Sequence, residues 1–156
     1  MRPITSATAG SVGPRRGRPS SATTTLAPNA LGQVATVDPK GRATIAWSDA
    51  EGVTAAQSTS GSSWATTNLE RATILDGPLL AVNSKSQLVL AWATGRLGGG
   101  SQTARAVARD ASGSFGDAVD VSATTEFVSD LALAVGNGGK ALLAWTSACL
   151  LYTSDA

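Results

Sequence analysis

The chain has 156 residues, with 12 Lys+Arg against 11 Asp+Glu, 1 Cys and no His. Without histidine there is no Ser-His-Asp triad, no imidazole acid or base and no His-ligated metal. A single cysteine excludes an internal disulfide framework and a Cys-rich zinc site, and no run reaches the ~18 apolar residues of a membrane-spanning helix.

Residues 1–28, MRPITSATAGSVGPRRGRPSSATTTLAP, are rich in Ser, Thr, Pro, Gly and Ala. They offer too little apolar area to offset the entropy of ordering them, so the segment reads as a disordered linker. It is not a signal peptide, because no apolar stretch follows its arginines. Residues 1–37 carry Arg2, Arg15, Arg16 and Arg18 and no acid, a charge of +4 against −3 for the rest. Without interleaved aromatics or lysines this is a solvated tail, not a nucleic-acid surface.

A repeat follows. Ala-Trp recurs at Ala46-Trp47, Ala91-Trp92 and Ala144-Trp145, at Trp spacings of 45 and 53. The fifteen residues ending at each Trp align without gaps: QVATVDPKGRATIAW, PLLAVNSKSQLVLAW and LALAVGNGGKALLAW. Val37, Val82 and Val135 coincide, as do Ile45, Leu90 and Leu143. Turn formers separate the apolar stretches: Asp38-Pro39-Lys40-Gly41, Asn83-Ser84-Lys85-Ser86 and Gly136-Asn137-Gly138-Gly139. Each unit therefore reads as strand, tight turn, strand, the first pairing 33–38 with 42–48. Leu88, Leu90 and Trp92 share one strand face, yet Val89 and Ala91 on the other are also apolar. Both faces are therefore expected to be covered.

Further strands are expected at 52–58 and 102–110, the latter with Thr103, Arg105, Val107 and Arg109 on one face. Glycine turns lead to Trp64 and Phe115, and fourth strands follow at 65–69 and 118–122. Four antiparallel strands per ~45–50 residues, covered on both faces, make a β-propeller blade. The expected organisation is a linker at 1–28, blade-like repeats at 29–76 and 77–128, a partial repeat at 129–148 and a foreign tail at 149–156. The fold class is all-β: an incomplete propeller of about two and a half four-stranded blades. A tandem β-sandwich array is the alternative.

These blades resemble the propeller repeats of large bacterial extracellular proteins and, more loosely, sialidase-like propellers with S-x-D-x-G-x-x-W Asp-box turns. Gly61 and Trp64 fit that box, but Gln57 and Thr59 stand at its Ser and Asp; Asp110 precedes Phe115 by five residues with Gly113 one place off. The WD-repeat signature is absent. The last eight residues, CLLYTSDA (149–156), hold the only Cys and the only Tyr. They resemble the in-frame translation of a transposase-type sequencing adapter and are set aside. On this reading the frame is truncated, and 141–145 (ALLAW) is left as an uncharged, apolar edge of aggregation-prone composition.

Candidate chemistry is thin. Trp47, Trp92 and Trp145, recurring at one position, read as inter-blade core, with glycan stacking as the alternative. Trp64 and Phe115 anchor turns. Asp49 with Glu51, and Asp117 with Asp120, lie in polar sequence that does not raise a carboxyl pKa, as glycoside hydrolysis would require. Arg42, Arg96, Arg105 and Arg109 fall at non-equivalent positions and form no recognisable triad; Tyr152 lies in the foreign tail. DPKGR and SDAEG supply too few carboxylates for calcium. Gly98-Gly99-Gly100 lacks the Lys-Ser/Thr of a phosphate loop and reads as a flexible hairpin loop. The expectation is a non-catalytic binding or scaffold module from a secreted or surface bacterial protein. It has no cofactor and no catalytic or metal residues, and its ligand-binding residues and its partner are left open, a glycan or a protein being the candidates. The competing reading is a piece of a sialidase-like, glycan-active enzyme lacking its catalytic residues.

Overall fold

A computed structural model describes residues 7–10, 23–96, 101–123 and 127–147, Ala7–Gly10 by backbone. The repeated hairpins form because three turns share one backbone solution. At Asp38 the backbone N–H donates to the Arg42 carbonyl at 3.0 Å, and Gly41 N donates to the Asp38 carbonyl at 2.8 Å. The same pair of bonds closes the turns at Asn83 (2.9 and 3.1 Å) and Gly136 (2.8 and 3.0 Å). Each turn needs a left-handed residue at one position, filled by Gly41 (φ 78°), Ser86 (φ 63°) and Gly139 (φ 81°). A side chain at such φ costs energy, and at Ser86 the surroundings must hold it there.

The strands are β1 (Ala7–Gly10), β2 (Thr23–Ala27), β3 (Gly32–Val37), β4 (Ala43–Asp49), β5 (Gly52–Ser58), β6 (Ala65–Glu70), β7 (Ile74–Val82), β8 (Leu88–Gly95), β9 (Gln102–Arg109), β10 (Val119–Asp120), β11 (Val128–Val135) and β12 (Ala141–Ser147). Among the described residues there is no helix, and so none long and apolar enough to cross a membrane. All pairings are antiparallel. Two four-stranded sheets run β3-β4-β5-β6 and β7-β8-β9-β10, flanked by the two-stranded sheets β1-β2 and β11-β12.

Both faces of the central strands are covered. Ala46, Val53 and Ala55 of the first four-stranded sheet pack on Leu88, Leu90, Trp92 and Val107 of the second. The outer face of the first, with Trp47 and Ala56, packs on Ala27 and Ala30. The outer face of the second, with Ala93 and Ala104, packs on Val128, Leu131, Leu143 and Trp145. Trp47, Trp92 and Trp145 thus each face the preceding sheet, so inter-sheet core is where the structure places them.

Three boundaries differ from the sequence reading. The segment read as a linker contains β1 and β2, and Leu26 and Ala27 of β2 cover Trp47; residues 1–6 and 11–22 lie outside the described residues. The apolar content of that strand is low, but small residues suffice against a flat tryptophan face. Strand β7 begins at Ile74, within the stretch assigned to the first repeat, and its register against β8 shifts between Ile74 and Leu79. The fourth strand of the second unit shrinks to Val119–Asp120. The expected foreign tail at 149–156 lies outside the described residues, as do Gly98, Gly99 and Gly100.

Candidate functional site

The chemistry-bearing side chains gather in the seam between the two four-stranded sheets. Arg109, at the end of β9, has a fully buried side chain. Its Nη2 donates to Asp38 Oδ2 at 2.7 Å and to the Ser86 carbonyl at 3.0 Å; its Nη1 donates to Thr44 Oγ1 at 2.7 Å and Gln57 Oε1 at 3.0 Å. This fork joins the first repeat turn to the second and holds Ser86 at its left-handed φ. Asp38 Oδ1 accepts the amides of Lys40 (2.9 Å) and Arg42 (3.1 Å), so the same carboxylate shapes its own turn. Burial alone pushes the Asp38 carboxyl up; the Arg42 and Lys40 amides and the Arg109 guanidinium outweigh it and hold its pKa below the ordinary value. Burial draws the Arg109 pKa down, against the pull of Asp38.

The Asp110–Ser114 turn of the second sheet is clasped from the first. Lys40 Nζ donates to the Ala111 carbonyl (2.9 Å), Arg42 Nη2 to Ser112 O (2.8 Å) and Gln57 Nε2 to Gly113 O (2.9 Å). Gly113 sits at φ +109°, where a Cβ would lie 2.2 Å from Arg42 Nη1. Asp110 caps this exposed turn, and its Ser112 hydroxyl, then the amides of Ser114, Gly113 and Ser112, bring its carboxyl to about 2. Beside the clasp opens a shallow groove of about 320 Å³, lined by Arg42, Thr59, Ser60, Ser63 and Ser112 among others. It is hydroxyl-rich and carries one guanidinium, a surface suited to hydrogen-bonding a polar ligand.

A second polar cluster braces the same two sheets. Glu70, at the end of β6, accepts Trp92 Nε1 at 2.6 Å and pairs with Arg105 Nη1. Arg105 also donates from Nη2 to the Ala118 carbonyl (3.0 Å), and its Nε lies 2.9 Å from Asp120 Oδ1. The next seam, between β7-β10 and β11-β12, has no such ion pair among the described residues. There Asn83 Nδ2 donates to the Gly136 carbonyl (3.1 Å), and Ser84 N and Oγ donate to Asn137 Oδ1 (3.2 and 2.8 Å).

Of the residues weighed in sequence, Arg109 and Arg42 come together on either side of the clasped turn, Arg105 joins the other cluster, and Arg96 stands exposed. Asp49 caps its own turn, accepting Glu51 N (2.8 Å) and Gly52 N (3.2 Å). Trp64 packs against the cluster that contains Trp47 and Ala56, and Phe115 against the inter-sheet core. The sequence reading missed Asp38 and Glu70 as partners of Arg109 and Arg105. The available signal was that Arg105 and Arg109 share a strand face with Val107, which places two cations on a face that must be buried and therefore need anions. Among the described residues no group of three or more His, Cys, Asp or Glu is placed to hold a metal ion.

Compared with protein-family models, with curated proteins and with solved structures, the chain matches none.

Proposed function

We propose that the sheets are blades of a β-propeller, and that the chain is a non-catalytic binding or scaffold module of a secreted or surface protein. One observation carries the architecture: successive sheets approach most closely at their first strands, β3 against β7 and β7 against β11. Sheets that converge on their first strands radiate from an axis, whereas the sheets of a stacked sandwich approach along their whole width. The position of the ionisable residues supports the non-catalytic reading. Asp38, Glu70, Arg105 and Arg109 brace one sheet against the next, while the groove beside Arg42 offers hydroxyls and a guanidinium to a ligand. Glycans and polar protein segments are the ligand classes such a groove suits. The test is a glycan and peptide array probed with the folded chain: binding that Arg42→Ala weakens at least about fivefold is expected. Turnover of a fluorogenic sialoside would overturn the non-catalytic reading, and so would binding indifferent to Arg42 for the groove.

A further inference from the structure

The two-stranded sheets at the ends are complementary halves of one unit. β11-β12 corresponds to β3-β4 and β7-β8 through the fifteen-residue repeat. β1-β2 corresponds to the other half, β5-β6. In β2, Thr23-Thr24-Thr25-Leu26 matches Thr66-Thr67-Asn68-Leu69 of β6. The registers agree as well: Thr8↔Thr25, Ala9↔Thr24 and Gly10↔Thr23 reproduce Thr54↔Asn68, Ala55↔Thr67 and Ala56↔Thr66. Even the irregularity coincides, between Ala7 and Thr8 in β1 and between Val53 and Thr54 in β5. On this equivalence Ala27 stands where Glu70 does, and the orphaned indole follows. Trp92 Nε1 reaches Glu70, whereas Trp47 Nε1, in the cluster that holds Ala27, is buried without an acceptor among the described residues.

Among the described residues the two half units leave two matched strand edges. β4 and β8 pair on both sides, but β12 pairs with β11 alone among the described residues. Leu142 on β12 is 70% exposed, while Thr44 at the equivalent position of β4 is fully buried. Val37 is 65% exposed, while its equivalent Val82 packs into the core between the four-stranded sheets. Among the described residues β1-β2 supplies two of the four strands that would lie across the first sheet, and Val37 is left uncovered. β11-β12 supplies the missing kind.

We propose that β12 of one copy of this chain pairs with β1 of a second copy, completing a four-stranded sheet β11-β12-β1-β2 across the two chains. The register follows from β4-β5: Ala144 opposite Ala9 as Ala46 is opposite Ala55, and Trp145 opposite Thr8 as Trp47 is opposite Thr54. The completed sheet brings Leu142 of one copy over Val37 of the other. Resting on the propeller reading, two copies joined twice close a ring of six four-stranded sheets, within the roughly 4–8 blades of known propellers. The contact is head-to-tail, and the ring closure keeps it finite.

The test uses the full chain with Cys149→Ser. Opposed residues of an antiparallel pair lie about 4.5–5.5 Å apart at Cα, within disulfide reach. Ala9→Cys with Ala144→Cys should therefore give a covalent dimer on mild oxidation, and Ala9→Cys with Thr146→Cys at least about tenfold less. Light scattering on the unmodified chain should give twice the chain mass. Val37→Asp, which changes only an exposed residue of the single copy, should weaken association at least about tenfold without altering the far-UV spectrum. A monomeric unmodified chain, or cross-linking indifferent to register, would overturn the pairing. A ladder of covalent oligomers in place of a dimer would uphold the pairing and overturn the six-sheet ring, and with it the propeller reading.

Discussion

Replacing Arg109 by methionine removes a cation that links three strands and two turns. Four hydrogen bonds vanish, and Asp38 keeps only the two amides at Oδ1, its Oδ2 left buried and unpaired. Stranding one partner of a buried ion pair costs about 3–5 kcal/mol, a large part of the roughly 5–15 kcal/mol that holds a domain. Urea unfolding followed by tryptophan fluorescence, extrapolated linearly to water, measures the loss. Two further readings separate a stranded charge from lost packing. Asp38→Leu combined with Arg109→Met should recover most of the loss, because a buried apolar pair replaces a buried ionic one at little net cost. The deficit of Arg109→Met alone should also shrink as the pH falls through the carboxylate range. Losing the guanidinium raises the Asp38 pKa, so protonating Asp38 costs the variant less folding free energy than it costs the unaltered chain. A loss below about 1 kcal/mol for the single variant, or a double variant as unstable as the sum of two singles, would refute the assignment of Arg109 as the inter-sheet brace.

In the unaltered chain Asp38 and Asp110 titrate below their ordinary values, so their contribution is complete above the unfolded carboxylate range near 4. The melting temperature should hold between about pH 5 and 7 and fall as pH drops from about 4 towards 2. Trp92→Phe should cost at least about 1 kcal/mol more than Trp47→Phe, since only Trp92 gives up a bond to a carboxylate; equal losses in chemical unfolding would contradict this. Gly52→Ala should cost about 2–4 kcal/mol, because at φ +138° a Cβ would meet the Glu70 carbonyl at 1.9 Å, and a thermal shift within error of zero would contradict it. Ala27→Glu alone should destabilise by burying a carboxylate without a cation, and adding Thr54→Arg, which copies Arg105, should restore stability. Failure of that rescue by thermal melting would count against the equivalence of β2 with β6.

What could be read from the sequence was the part written in periodicity. Strands β3 to β6 and β9 fall within a residue of their expected bounds, because an apolar alternation and the turns between strands fix both register and ends. The two-sided apolar character of Leu88–Trp92 correctly implied a strand covered on both faces. The partners across the seam were harder to see, because Asp38 sits in a turn sequence where an aspartate already has a sufficient local reason to be there. It turned out to serve both purposes, one oxygen for the turn and the other for Arg109. Glu70 ends a strand of threonines and offers no local pattern at all; only the sheet-to-sheet packing brings it to Trp92.

The N-terminal strands show where composition misleads. A run of Ser, Thr, Ala and Gly is poor in the large apolar residues that signal a core, and by that measure residues 1–28 should not order. A strand laid on an existing tryptophan face needs much less: Leu26, Ala27 and Ala30 join Ile45 and Trp64 around Trp47 and Ala56. Threonine's β-branch favours the extended backbone, and the ladder to β1 satisfies its amides. Low hydrophobicity therefore reads as disorder only when the segment must build its own core. Here the first four-stranded sheet already presents one, and the cost of the bargain is visible at the same spot: the covering strand carries alanine where the next seam has a glutamate, and Trp47 keeps a buried N–H with no acceptor among the described residues.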